Sequence, residues 1–340
     1  MNVRCTCVKF YRNFNSHSKT FKIQIKRTQR KSLSKMGQSL SEPVTTKCSL
    51  ICKNEQVKVG LSSMQGWRVS MEDSHTLLLE VPQDPSASFY AIFDGHGGSK
   101  ISEYASRHLY KWIFNQKAYQ EGDIVQAIEN GYLELDAFMR ENKVLRDDLA
   151  GSTAVVVLIK GNTLYCGNAG DSRAIAVVNG TVRPLSHDHK PTEPAEYARI
   201  KEAGGWVEYN RVNGNLALSR ALGDYMFKTN SKKSPKEQVV TAFPEVIVEE
   251  IDESWEFIVL ACDGIWDVMS NEEVAGFIRD RLMRQLHPDV ICEELMMTCL
   301  APDSQMGGYG CDNMTVTIIV FQNTKVQNLE NVALEKHLLL

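Results

Sequence analysis

Eight short β-rich runs dominate the chain from about Val57 onward, and several of them are apolar without interruption. They read HTLLLEV, SFYAIFD, STAVVVLIK, TLYCGNAGD, RAIAVV, EVIVEEI, EFIVLACDG and NMTVTIIVF. Continuous apolar runs of this length are typical of strands that are covered on both faces. A chain built from them must place further layers of structure on both sides of its sheets.

Helical patterns occur in pairs between these runs. Residues 98–114 and 123–143 form one pair, and residues 271–286 and 288–300 form the other. Ser270 and Glu273 fit a capping box, and Pro288 marks a new helix start. Consecutive strands with paired helices predict an α+β fold in which helices are layered on sheets, rather than a regular βαβ alternation.

Charge divides the chain into unequal parts. It has 340 residues, 43% hydrophobic and 24% charged, which is enough for one large or two small globular domains. Residues 1–35 contain ten Lys or Arg and no acid, so the remainder has 28 basic and 42 acidic side chains. An acidic body repels a phosphate backbone, so we expect no nucleic acid partner. We predict a basic, disordered leader over residues 1–54, a catalytic domain over 55–322 and a short tail over 323–340.

Two further interpretations of the leader remain open. Its acid-free, Arg- and Ser-containing start would suit a mitochondrial transit peptide. Translation from Met36 would instead give MGQSLS, a pattern for myristoylation of Gly37 that would lead to membrane association.

Nine scattered Cys without a CxxC pair indicate reduced thiols in the cytoplasm or nucleus. No apolar stretch approaches the roughly 18–20 residues that a membrane-spanning helix needs.

Acidic residues stand at the ends of the apolar runs. They are Asp94 and Asp263, each followed by Gly, together with Asp171, Asp312, Glu72 and Asp73. A single Asp-Gly is usually a solvated turn, but strand ends of one sandwich can meet at one rim. Clustered carboxylates repel one another, and a divalent cation supplies the missing positive charge. Oxygen ligands select hard ions, so the pattern predicts a site for Mg²⁺ or Mn²⁺.

Arg68, in GWRVSMED, is a candidate for binding phosphate beside such a site, because a guanidinium can donate to two phosphate oxygens at once. Metal ions with few protein ligands keep water molecules and can activate one of them for attack on phosphorus. Arg68 and the acids together therefore favour phosphate chemistry.

Eight motifs resemble, in order, those of the metal-dependent serine/threonine protein phosphatases of type 2C. They are SSMQGWRVSMED, FDGHGG, GSTA, GNAGDSRA, DHKP, RVNGNLALSRALGD, ACDGIWDVMS and CDNMTV, within about residues 57–321. The resemblance implies a four-layer αββα sandwich of two antiparallel sheets flanked by helix pairs. It also implies two Mg²⁺ or Mn²⁺ ions at one rim of the sandwich.

The resemblance implies metal roles for individual residues. Asp94 resembles the carboxylate that bridges both ions, and Gly95 contributes its carbonyl group. Asp263 and Asp312 resemble ligands of one ion. Glu72 resembles the acid that holds the other ion partly through water, and Asp73 resembles its outer partner. Asp171 resembles an acid that serves a weaker third ion, with support from Asp267.

The resemblance also implies the chemistry. Arg68 resembles the phosphate clamp, and His96 resembles the imidazole that protonates the leaving alcohol. We interpret Gly97 and Gly98 as clearing room for a phosphoprotein substrate. The insert at residues 226–238 falls where the family carries a flap, and it is either a solvated loop or a substrate-selecting segment.

The expected activity is hydrolysis of phosphoserine and phosphothreonine on proteins by a monomeric enzyme. The alternative is a weakly active pseudophosphatase that acts as a docking module, but such proteins lose metal acids, which this chain keeps. Other phosphatase classes are disfavoured, because the chain contains no C-x5-R loop, no GNHE or GDxHG and no D-x-D-x-[TV]. His187 and His189 form a His-x-His pair, but the rest of a zinc hydrolase pattern is missing.

Overall fold

The computed structural model describes residues 39–146, 149–304 and 308–322. Within these residues the strands are Ser39–Lys53 (β1), Val57–Arg68 (β2), Ser74–Leu78 (β3), Ala87–Phe93 (β4), Gly95–His96 (β5), Gly151–Ser152 (β6), Ala154–Lys160 (β7), Thr163–Ala169 (β8), Arg173–Val178 (β9), Thr181–Pro184 (β10), Val207–Glu208 (β11), Arg211–Val212 (β12), Leu222–Gly223 (β13), Glu245–Glu250 (β14), Trp255–Ala261 (β15) and Met314–Phe321 (β16). The α-helices are Lys100–Phe114 (α1), Lys117–Gln120 (α2), Ile124–Glu141 (α3), Pro194–Glu202 (α4), Asp263–Trp266 (α5), Asn271–Met283 (α6) and Pro288–Cys299 (α7). Two 3₁₀ turns span Tyr225–Phe227 and Pro235–Glu237.

Two large sheets form the centre of the domain. One has six strands in the order β1-β2-β16-β15-β9-β10, and the other has five in the order β14-β8-β7-β4-β3. Neighbouring strands in both sheets are antiparallel. A smaller sheet has the order β13-β6-β5, and β11 and β12 form a hairpin. The prediction of two antiparallel sheets is confirmed.

Alternation of side chains along the strands builds the layers. On β4, Tyr90 packs into the core between the two sheets, whereas Phe89 packs into the core beneath α1 and α3. On β15, Ile258 joins the core between the sheets, and Val259 joins the core beneath α6 and α7. Successive residues of a strand point to opposite faces, so both sheets are buried on two sides. The predicted four-layer αββα sandwich is confirmed.

Helices α6 and α7 begin at the residues that the sequence predicts. Ser270 and Glu273 form the predicted capping box at the start of α6, and Pro288 is the first residue of α7. Asp123 caps α3 by accepting a hydrogen bond from the backbone N–H of Gln126 at 3.0 Å. These caps satisfy backbone groups that have no partner within the helix.

The predicted disordered leader is wrong for its last part. Ser39–Lys53 forms β1, an edge strand that pairs with β2 along its length. The hydroxyl of Ser49 also donates to the carboxylate of Glu293 on α7. The segment has few apolar residues because an edge strand stays partly exposed. Residues 1–38, with Met36 and Gly37, lie outside the described residues, as does the tail 323–340.

The strand ends that precede or follow the predicted site residues lie at one rim of the sandwich. In the six-stranded sheet the last residues of β2 and β15 lie beside the first residues of β16. In the five-stranded sheet the last residues of β4 and β8 lie beside the first residues of β7. Among the described residues, no helix is both long and apolar enough to cross a membrane.

Candidate active site

The acids predicted for the site stand at this rim. Asp94 follows β4, Asp263 opens α5 directly after β15, and Asp312 precedes β16. Glu72 and Asp73 lie in the loop between β2 and β3. The apolar strands fix the backbone on which these acids stand, so the carboxylates are held close together at the rim.

Burial and mutual repulsion dominate the electrostatics of the acids. Burial raises the pKa of Asp94 well above its usual value, and the charges of Asp263 and Asp73 raise it further. Burial also raises the pKa of Asp263 well above its usual value, with further contributions from Asp171 and Asp312. Acids that raise one another's pKa are close enough to repel, and a bound cation would remove that repulsion.

Two buried carboxylate oxygens of this cluster lack a hydrogen-bond partner within the described part of the chain. They are Oδ1 of Asp73 and Oδ1 of Asp263. Burial raises the pKa of Asp73 to about 7, although its Oδ2 accepts a hydrogen bond from the hydroxyl of Thr315 at 2.7 Å. Buried polar atoms are normally paired, so these two oxygens fit a positively charged ligand.

The tightest group of potential ligands is Asp73, Asp94 and Cys262, whose ligand atoms lie within 4.8 Å of one another. Burial raises the pKa of the Cys262 thiol well above its usual value, and a hard ion such as Mg²⁺ or Mn²⁺ prefers the carboxylate oxygens of Asp73 and Asp94 to sulfur. Asp73, predicted as an outer partner, therefore lies directly beside Asp94. Within the described residues, neither Asp263 nor Asp312 belongs to a group of three at this distance.

Arg68 lies at the edge of the cluster, and half of its side chain is exposed. Its guanidinium contacts the carboxylate of Asp312. Burial lowers the pKa of Arg68, but the charges of Asp312 and Asp263 more than offset this. A permanent cation thus stands beside the acids, where it can bind a phosphate group. The sequence did not predict that Arg68 pairs with Asp312.

Hydrogen bonds to both its side chain and its backbone hold Glu72 in place. Its Oε2 accepts from the backbone N–H of Gly98 at 3.0 Å, and its Oε1 accepts from the hydroxyl of Ser70 at 2.8 Å. Its own backbone N–H donates to Oδ1 of Asn313 at 2.8 Å, and the Asn313 amide donates to the Ser70 carbonyl at 3.0 Å. Asn313, which the sequence analysis did not single out, therefore positions the loop that carries Glu72.

Glycines allow the chain to approach itself closely here. A Cβ at Gly95 would lie 2.4 Å from the carbonyl oxygen of Glu72. A Cβ at Gly97, whose φ is +68°, would lie 2.3 Å from the carbonyl oxygen of Leu149. Gly97 is thus required by packing within the chain, and the interpretation that it clears room for substrate stays a prediction. At Gly98 a Cβ would meet nothing within 4 Å.

His96 pairs with an acid that the sequence analysis gave no role. Its Nε2 lies 2.7 Å from Oδ2 of Asp224, which is buried. Burial lowers the pKa of His96, but the Asp224 carboxylate more than offsets this and holds the pKa above its usual value. The imidazole therefore retains a proton more readily than a free histidine. Asp224 ends the RVNGNLALSRALGD motif, and that position was the available signal.

A sequence model of the family Protein phosphatase 2C matches residues 57–306. The chain belongs to the protein phosphatase 2C family. Its similarity to curated relatives is high: it is 60% identical over 284 residues to "Probable protein phosphatase 2C T23F11.1" of Caenorhabditis elegans, covering 84% of this chain and 80% of that one. It is 48% identical to "Protein phosphatase 2C homolog 3" of Schizosaccharomyces pombe, covering 84% of this chain and 69% of that one.

Solved structures show the same phosphatase 2C fold. A phosphatase from a pathogenic strain of Toxoplasma gondii superposes with a TM-score of 0.70 at 27% identity, covering 82% of this chain and 96% of that one. The serine-threonine phosphatase 2C from Toxoplasma gondii superposes with a TM-score of 0.69 at 24% identity, covering 82% of this chain and 99% of that one. The second likeness concerns the fold alone.

The remaining acids of this phosphatase 2C chain lie around a lysine. The Lys190 ammonium contacts the carboxylate of Asp171, which is buried. Burial raises the pKa of Asp267, an effect that Lys190 opposes and Asp171 reinforces. Burial lowers the pKa of Lys190, but Asp171, Asp263 and Asp267 more than offset this. The acids predicted to serve a third ion thus share a lysine counter-ion that the sequence analysis did not single out.

Proposed function

We propose that this phosphatase hydrolyses phosphoserine and phosphothreonine on proteins, using a binuclear Mg²⁺ or Mn²⁺ site and a water nucleophile. The observation that supports this most strongly is a pair of buried carboxylate oxygens in the acid cluster, on Asp73 and Asp263, for which the described residues supply no hydrogen-bond partner. That cluster lies beside an exposed arginine and a carboxylate-bound histidine. Phosphorylated proteins are the proposed partners.

Asp94, Asp263, Asp312, Glu72 and the Gly95 carbonyl would hold the two ions. Asp73 would bind directly or orient a ligand, since its Oδ2 is held by Thr315. Asp171 and Asp267 would hold a weaker third ion. When bound, the ions would supply a reactive water at neutral pH and neutralise charge on the phosphate. Calcium should inhibit, because its longer bonds and looser geometry misplace the reacting groups.

The other residues act on the phosphoryl group. Arg68 would bind two phosphate oxygens, which requires its guanidinium to leave Asp312 or to share it. Asp94 stands at the end of a buried strand and would fix the ligand geometry. His96 would give a proton to the serine or threonine oxygen as it departs, because a free alkoxide is a poor leaving group. The docking-module alternative is not supported, because Asp94, Asp263 and Asp312 are all present.

Phosphopeptide specificity tests the proposal. Phosphate release from matched peptides containing phosphoserine, phosphothreonine or phosphotyrosine should be measured in Mn²⁺. We expect turnover of the first two and little of the third. Hydrolysis in H₂¹⁸O, followed by mass spectrometry of the released phosphate, should show one solvent oxygen per turnover without a phosphorylated protein. Preferential turnover of phosphotyrosine, or a trapped phosphoenzyme, would contradict the proposal.

We propose that the catalytic domain begins at β1, near residue 39, and ends near residue 322. Cytoplasmic or nuclear location is the expectation from the free thiols, and a start at Met36 would add a lipid at Gly37.

The insert at residues 226–238 is ordered around the Gln238 side chain, which donates to the carbonyls of Asn230 and Lys233 at 2.8 and 2.9 Å. A substrate-selecting role for this insert stays a proposal.

A further inference from the structure

We propose that Asp224 is the positioning residue for His96, and that a buried Asp136–Lys228 pair holds Asp224 in place. This inference rests on the proposed function, because it supplies the geometry for proton donation by His96. The direct observation is the 2.7 Å contact between Nε2 of His96 and Oδ2 of Asp224. Since Asp224 engages Nε2, Nδ1 is the ring nitrogen left to donate a proton to the leaving oxygen.

The three short strands of the small sheet bring the two residues together. His96 on β5 pairs with Gly151 on β6, and Gly151 pairs with Gly223 on β13, the residue before Asp224. A Cβ at Gly151 would lie 2.1 Å from Oδ2 of Asp224 and 2.5 Å from Nε2 of His96. Glycine at residue 151 therefore leaves the space in which the histidine and the carboxylate meet.

The turn that carries Asp224 has an unusual backbone conformation. Gly223 has φ of +80° and Asp224 has φ of +51°, in the left-handed region that an L-residue with a side chain seldom adopts. The backbone N–H of Asp224 donates to the Ala150 carbonyl at 2.9 Å. Such a conformation persists where surrounding contacts impose it. It aims the Asp224 side chain at β5.

Those contacts come from α3 and from the residues that follow the turn. Oδ1 of Asp136 accepts from the Gly223 backbone N–H at 2.7 Å, and Oδ2 accepts from Nζ of Lys228 at 2.8 Å. Lys228 also donates to the Ala221 carbonyl at 2.8 Å. Both charged side chains are buried. A helix of the outer layer thereby fixes both sides of Asp224, which a loop exposed to solvent could not do.

The first experiment compares leaving groups. Wild type, His96→Ala, Asp224→Asn and the double variant should be assayed in single turnover on a phosphothreonine peptide and on p-nitrophenyl phosphate. The nitrophenolate leaves without a proton, so only the peptide reaction needs the acid. We expect His96→Ala to lose about 10²–10³-fold on the peptide, within the range of general acid catalysis, and little on the nitrophenyl ester.

Asp224→Asn should show the same selectivity with at least about a 10-fold loss in kcat on the peptide and little change in KM. The double variant should be no slower than His96→Ala, because residues that act as one unit are not additive. Glu256→Gln is the matched control. Glu256 is a buried carboxylate at the far end of β15, and it pairs with Arg279 at 2.6 Å. Its replacement should not slow one substrate more than the other.

The second measurement does not depend on activity. In metal-free protein, proton NMR should show a low-field Nε2–H signal for His96 that disappears in His96→Ala and in Asp224→Asn and persists in Glu256→Gln. Should Asp224→Asn fail to fold, Gly151→Ala tests the same contact, because its methyl group intrudes between the two side chains. We expect loss of the signal and the same selective loss on the peptide.

The outcomes separate the two claims. Equal losses on both substrates for His96→Ala would overturn proton donation by His96 and the inference with it. A selective His96→Ala together with an unselective Asp224→Asn, or with fully additive losses, would overturn the positioning role of Asp224 alone.

Discussion

Nζ of Lys228 lies 2.8 Å from Oδ2 of Asp136, and the two charges meet inside the protein beneath the turn that carries Asp224. Removing one partner of a buried ion pair leaves the other charge without compensation, which typically costs about 3–5 kcal/mol. We therefore expect Lys228→Met to lower the free energy of unfolding by about this amount in urea titrations of metal-free protein. Asp136→Leu/Lys228→Met should lose much less than the two single variants combined, and additive losses would contradict this account.

Stability of the metal-free protein should depend on pH in a defined direction. Burial raises the pKa of Asp73 to about 7 and the pKa values of Asp94 and Asp263 well above their usual range, so these three acids bind more protons in the folded than in the unfolded protein. Their contribution is present at low pH and is lost as pH rises through the folded pKa. His75 and His189 have pKa values lowered to about 4 and about 3, so stability is also lost below about pH 6.5, the usual value for histidine.

The melting temperature in EDTA should therefore fall by several degrees between pH 6.5 and pH 8.5, because the histidines are neutral in both states there and only the buried acids still lose protons. Mn²⁺ should remove most of the alkaline fall, because a bound cation stabilises the ionised acids. A melting temperature that rises between pH 6.5 and 8.5 in EDTA would show that the buried, ionised acids do not destabilise the metal-free protein.

Contact between α7 and the six-stranded sheet depends on a glycine. A Cβ at Gly60 on β2 would lie 2.2 Å from the backbone of Pro288 and Asp289. Gly60→Ala should lower stability by about 1–3 kcal/mol, as overpacking in a core does. Gly276→Ala is the matched control, because a Cβ there meets nothing within 4 Å on α6, and alanine should stabilise the helix by up to about 1 kcal/mol. Urea unfolding of both variants checks the difference, which equal effects would contradict.

The edge strand β1 should be needed for stability, whereas residues 1–35 should not. A protein that begins at Met36 keeps β1, and we expect its melting temperature and peptide turnover to match those of the full chain. A protein that begins at Glu55 exposes the full edge of β2, so it should melt earlier and aggregate. Thermal melting and size-exclusion chromatography check this, and equal melting of the two shortened proteins would mean that β1 contributes little.

The sequence predicted the large strands well because burial on both faces leaves a continuous apolar run. EFIVLACDG corresponds to β15 and NMTVTIIVF to β16, and the acids beside them lie at one rim. β1 was missed because an edge strand that is partly exposed has no such run. Its pairing with β2 appears only when the fold is assembled.

The arrangement around His96 could not be predicted for a different reason. β5, β6 and β13 have two residues each, which is too short for any periodicity. Asp224 is 128 positions from His96, and its approach depends on a turn with positive φ and on the missing side chain of Gly151. The residue type at a single position reveals none of these distant contacts. The acids were found because each stands at the end of a strong strand pattern.

Metal dependence of turnover tests the central claim most directly. The protein should be stripped with EDTA, passed into chelated buffer and assayed on a phosphothreonine peptide during titration with Mn²⁺ or Mg²⁺, beside Asp263→Asn. We predict no turnover without added ion, full recovery with it, and at most a few per cent recovery for Asp263→Asn, whose circular dichroism should match that of wild type. Full turnover in the stripped protein, or normal recovery of Asp263→Asn, would contradict the claim that the acid cluster is a catalytic metal site.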